Sequence, residues 1–111
     1  MAWTIEYYSP KIQRDIEMLS KGLQARYIHL TRRMQEYGPP LREPHTKALG
    51  DGLFELRLKS KEGIASVFYC TIIEQRIFLL HSFIKKTDRA PPAELETAKK
   101  RMKEVKKNVI P

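Results

Sequence analysis

The sequence predicts an α+β domain, a helical hairpin packed on a twisted antiparallel sheet with a further helix at the C-terminus. Two observations carry this. Between Leu53 and Lys85, three segments of strand length follow one another with only short turns between them. Ahead of them, residues 10–37 place apolar side chains at spacings of three and four, the period of two short helices.

Each element has its own reason. Trp3, Ile5 and Tyr7 alternate with Thr4, Glu6 and Tyr8 and read as a first strand. Ser9-Pro10 starts a helix, serine supplying the cap oxygen and proline tolerating the first helical position. Ile12, Ile16 and Leu19 form its core stripe, and Lys21-Gly22 is expected to break it. The second helix carries Leu23, Tyr27, Leu30, Met34 and Tyr37 on one face, Arg26, Arg32, Arg33 and Gln35 off it, and ends at Gly38-Pro39-Pro40.

After a Pro-rich connection come Lys47 to Leu49, a Gly-Asp-Gly turn and a strand from Leu53 to Ser60. Phe54, Leu56 and Leu58 share one face of that strand, and Glu55, Arg57 and Lys59 the other. Lys61-Glu62-Gly63 turns into a strand from Ile64 to Ile73, and Glu74-Gln75-Arg76 into another from Ile77 to Lys85. A last helix over 92–107 has acidic residues early and lysines late, as the helix dipole prefers. This order predicts helices stacked on one sheet face.

The 111 residues make a single domain, 1–111, without room for a second core, and a 41% hydrophobic content excludes general disorder. Twenty-one Lys and Arg against 13 Asp and Glu give a net charge of +8. From Lys85 onward, nine basic residues face four acidic ones. Such a balance suits a nucleic acid, an acidic partner or a membrane surface, although a solvated lysine-rich helix also produces it. The N-terminal residues lack the pattern of a signal peptide, and no apolar run reaches the ~20 residues that span a bilayer. Cys70 is the single cysteine, in an apolar strand, and reads as an inert buried thiol. A cytoplasmic location is expected.

No phosphate-binding Gly-rich loop, CxxC or HExxH is present, and His29, His45 and His81 are not spaced like metal ligands, so no metal site is expected. What remains is a set of cations on or beside the strands: Lys47, Arg57, Lys59, Lys85 and Lys86. RNA cleavage needs a base for the 2′-hydroxyl, positive charge on the pentacovalent phosphate and an acid for the departing 5′-oxygen. Arg57 suits the phosphate role because its forked guanidinium stays charged. Lys85 or Lys86 could share it or transfer protons, and His81, on the same strand face as Lys85, is a further proton-transfer candidate. The identity of the base is open among Lys85, Lys86 and His81.

The segments K-x-L-x-x-GLFELR, G-I-A-x-V-F-Y and I-x-L-L-H-x-F-x-KKT, followed by a helix with A-x-x-R, resemble RelE/HigB-type toxins, in the phage-derived branch of the RelE/ParE superfamily. The resemblance implies the toxin of a type II toxin–antitoxin system. It implies a partner antitoxin with a helix-turn-helix DNA-binding domain, and ribosome-dependent cleavage of mRNA without metal or cofactor. By position it assigns catalysis to Arg57, Lys85, Lys86 and His81, and RNA binding to Lys47, Lys59 and Arg89. Glu55 is expected to be a sheet-face partner of Arg57. At residue 66 the family usually has Arg and this chain has Ser66, which supplies no charge. Either another cation such as Arg57 or Lys59 covers the loss, or the chain is attenuated, by nature or by substitution. Two other functions fit the fold: a ParE-like gyrase inhibitor and a non-catalytic RNA-binding relative.

Overall fold

Serine hydroxyls open both N-terminal helices. In the computed structural model, which describes residues 3–39, 45–86 and 91–109, Ser9 Oγ accepts from the Ile12 amide at 3.4 Å and caps α1 (Pro10–Glu17). Ser20 Oγ does the same for the Leu23 amide at the start of α2 (Lys21–Tyr37). The break between the helices therefore falls at Met18–Ser20. Lys21 and Gly22, expected to end the first helix, form the first turn of the second. That turn is supported from the sheet, where Glu62 Oε1 accepts from the Gly22 amide at 2.7 Å and satisfies a donor no helical carbonyl can reach. At the other end Gly38 adopts φ 87°, and a Cβ there would lie 2.9 Å from Trp3 Nε1. Glycine both turns the chain and lets Trp3 close over it.

The five strands are β1 (Thr4–Tyr7), β2 (Thr46–Gly50), β3 (Leu53–Ser60), β4 (Gly63–Ile72) and β5 (Arg76–Lys85), in the spatial order β1-β5-β4-β3-β2. The meander β2 to β5 is antiparallel, as the short turns require. β1 joins the outer edge of β5 in parallel, which makes the sheet mixed. Arg76 clamps that junction, donating from Nη2 to Glu6 Oε1 at 2.7 Å and from Nε to the second carboxylate oxygen. The C-terminal helix α3 spans Pro92–Val109.

The helices do not share one face. α1 and α2 cover one side with Ile12, Ile16, Leu23, Leu30 and Met34 against Leu56, Leu58, Val67, Tyr69, Ile77 and Leu79. On the opposite side α3 lays Ala98, Met102 and Val105 on Leu53, Phe68, Cys70, Phe78 and Leu80. The physical reason lies in β4, where residues 65–70 are all buried, so both faces of the central strand need cover. α3 meets the sheet at the Leu53 end of β3. The expected two-layer stack is thus corrected to three layers, with the sheet in the middle.

Candidate functional site

Strand register fixes which side chains share the α3 side of the sheet. Directly opposed residues in an antiparallel ladder point the same way. One row reads Lys47, Glu55, Phe68, His81; the next Arg57, Ser66, Phe83; the third Lys59, Ile64, Lys85. The cations singled out on the strands therefore do come to one face. Lys86 lies just past the end of β5 and is exposed. Arg89 lies outside the described residues.

Their environments differ sharply. Lys47 and Lys59 are exposed and Arg57 is half-buried. No described residue forms an ion pair or side-chain hydrogen bond with the Arg57 guanidinium. Its backbone amide donates to the His45 carbonyl at 2.8 Å, which extends the ladder beyond β2 and fixes the Arg57 backbone. His45 is itself surrounded by basic groups. Its imidazole is held below the ordinary histidine value, by burial first and then by the charges of Arg26, Arg33 and His29.

Lys85 and Ser66 occupy the interior of this face, not a solvated surface. Lys85 Nζ lies 2.7 Å from Glu55 Oε2, and the two side chains are only 1% and 4% exposed. Ser66, fully buried, donates from Oγ to the same Glu55 oxygen at 2.5 Å. Glu55 is accordingly the partner of Lys85 and Ser66, whereas the sequence pairs it with Arg57. The neutral side chain at residue 66 leaves the carboxylate to Lys85. A buried carboxylate requires such company, since taking a charge out of water is costly unless it is paired and hydrogen-bonded.

His81 is engaged on both ring nitrogens. Nε2 lies 2.6 Å from Glu94 Oε2, and Nδ1 lies 3.3 Å from Arg101 Nη1. Arginine can only donate, so Nδ1 accepts and Nε2 carries the proton it gives to Glu94. Arg101 also donates to the Leu80 carbonyl at 2.9 Å and stacks 4.8 Å above the Tyr8 ring. Tyr8 in turn donates to Glu104 at 2.5 Å, a bond that raises its phenol above the ordinary value. Through these contacts His81 ties α3 to β5. Sequence reasoning missed Glu94 and Arg101 as its partners, and Tyr8 against Arg101, because α3 and the residue after β1 are brought to β5 only by the fold.

Chemically, the face offers a half-buried guanidinium, unpaired among the described residues and flanked by exposed lysines, with an internally neutralised triad beside it. That arrangement can hold a phosphate. Among the described residues, no group of three or more His, Cys, Asp or Glu side chains could hold a metal ion. No described helix is long and apolar enough to cross a membrane.

The sequence model of one family, described as phage-derived protein Gp49-like, matches residues 14–103. No curated protein sequence matches. Among solved structures, a mutant of the E. coli toxin RelE in its free state superposes with a TM-score of 0.65 at 14% identity. The superposition covers 92% of this chain and 99% of that one, and at such identity the likeness is one of fold.

Proposed function

The chain belongs to the phage-derived Gp49-like family, and from that premise we propose that it is the toxin of a type II toxin–antitoxin pair and cuts mRNA on the ribosome. The single observation that carries this reading is Arg57. Its guanidinium stands half-buried on the open part of the sheet face, without an ion-pair partner among the described residues. A fixed cation of this kind stabilises charge that develops on a phosphate as the 2′-oxygen attacks. Lys47 and Lys59 flank it and hold the strand on either side.

Glu55, Lys85 and His81 are already committed to internal contacts. The chain therefore contributes charge and positioning, and the translating ribosome holds the message in line for attack. On this reading cleavage is confined to translated RNA, the site needs neither metal nor cofactor, and the protein works in the cytoplasm. The antitoxin, with its helix-turn-helix domain, masks the cationic face with acidic residues.

The test is induced expression in a bacterium with primer extension on a translated message, comparing the chain with Arg57→Ala. Codon-phased cuts that fall by about 10²–10³ in the variant support the reading. Cuts of equal strength in both would remove Arg57 from the chemistry. A second reading, an RNA-binding relative without turnover, draws on the Glu55–Ser66–Lys85 triad, which spends a lysine internally. It predicts salt-dependent RNA binding with no cuts. Growth arrest with DNA damage and intact message would point instead to gyrase.

A further inference from the structure

Away from Arg57, a groove of about 560 Å³ runs between α3 and the β2–β3 turn. Lys99, Lys100, Lys103 and Lys106 line its helix side, and Gly50 and Asp51 line the other. Lys99 and Lys106 are half-buried, so their stems lie against the protein and their ammonium groups are placed by it. The turn is shaped to admit one of them. Lys106 Nζ sits 3.5 Å from the Asp51 carbonyl, and a Cβ on Gly52 would come within 3.3 Å of it. Glu96 and Asp51 also line the groove, but neither forms an ion pair with these lysines among the described residues. Four ammonium groups against two carboxylates leave the groove positive.

We infer that this groove binds the phosphodiester backbone of single-stranded RNA and holds the strand on the sheet face that carries Arg57. The inference rests on the RNA reading above and adds a second, non-cleaving contact to it. Lys99, Lys103 and Lys106 climb α3 over about 10 Å, since each residue rises about 1.5 Å. That length lets the ammonium groups meet successive phosphates of one strand. An amphipathic acidic helix fits less well, because a helix docked in a groove is held by apolar anchors. None of the exposed large hydrophobics, Met18, Ile28, Tyr37, Ile73 and Ile84, lines the groove, and its Met102 is only 6% exposed.

The path to Arg57 is short. It runs along β2, because Leu53 and Glu55 of β3 are buried, whereas Lys47 is exposed and stands one row from Arg57 on the same face. From the turn, Arg57 is about 13 Å away in the strand direction.

The test is fluorescence anisotropy of a short, unstructured, labelled RNA with the full chain over a salt series. Replacing Lys99, Lys103 and Lys106 by Gln should lower the slope of log K against log salt by about 2, at about 0.7 per phosphate on a single strand. Lys103→Gln alone, at an exposed position, should lower it by about 0.7. A control that removes equal charge elsewhere, Lys11→Gln with Lys21→Gln and Lys61→Gln, should keep the wild-type slope. An unchanged slope in the groove variants, or an equal loss in the control, overturns the groove. Tighter binding of a polyaspartate peptide than of RNA, lost in the groove variants, also overturns it. The two readings fail separately. If wild type never cuts message but the groove variants lose slope, the nuclease falls and the groove stands. If wild type cuts and the slopes stay equal, the groove alone falls.

Discussion

Lys85 and Glu55 form a buried ion pair across β4, 2.7 Å from Nζ to Oε2, with Ser66 donating to the same oxygen. Removing one member strands the other charge in the interior, whereas removing both leaves none. Lys85→Met should cost about 3–5 kcal/mol in urea unfolding. The double variant Lys85→Met with Glu55→Gln should cost less than Lys85→Met alone. A double variant whose cost equals the sum of the two singles would show that the groups are uncoupled.

Ser66 sets what this triad can accept. Ser66→Ala removes a hydrogen bond to a charged acceptor and should cost about 1.5–3 kcal/mol. Ser66→Arg forces a long cation into a site with no exposure and into competition with Lys85 for Glu55. It should melt below Ser66→Ala and gain no RNA cleavage. A Ser66→Arg chain as stable as wild type that cuts message faster would make residue 66 the missing catalytic cation.

These two positions mark the limit of what the sequence discloses. The alternation of β3 is local, so the shared face of Lys47, Arg57 and Lys85 can be derived from strand pairing alone. The burial of Glu55 cannot, because its partner comes from a strand distant in sequence and alternation by itself places a carboxylate in water. The second layer had a legible signal that is easily passed over. Val67, Phe68, Tyr69 and Cys70 run apolar without alternating, the mark of a strand covered on both faces. Read that way, β4 calls for a helix on each side.

Leu56 and Leu80, both fully buried, report on those two layers separately. Leu56 packs with the α1–α2 hairpin and Leu80 with α3. Each Leu→Ala change should cost about 2–5 kcal/mol. Amide exchange should quicken first in α2 for Leu56→Ala and first in α3 for Leu80→Ala. An unchanged melting temperature for either would undo its core assignment.

Acid should loosen β1. The Arg76 hydrogen bonds hold the Glu6 carboxyl below its ordinary value of 4.5, outweighing the opposite push of burial. A carboxyl depressed in the folded state stabilises it above the unfolded value and loses that contribution as pH falls through the folded one. The melting temperature should therefore drop below about pH 4.5, and Glu6→Gln should flatten that part of the profile. Parallel profiles for the two chains would sink the assignment. At neutral pH the clamp is partly exposed and screened, so Glu6→Gln should change stability little there.

Cys70 offers a probe of α3 that needs no RNA. Its thiol is fully buried beneath the α3 layer, and burial pushes it up to about 11. Thiolate chemistry at neutral pH is thus closed to the folded chain and open to the unfolded one. A thiol reagent should react with the folded protein only as fast as the structure opens. Leu80→Ala, which weakens the α3 layer, should then speed the reaction more than Leu56→Ala, which weakens the opposite core. Equal acceleration by both variants would mean that Cys70 is reached only through global unfolding, and that α3 does not open on its own.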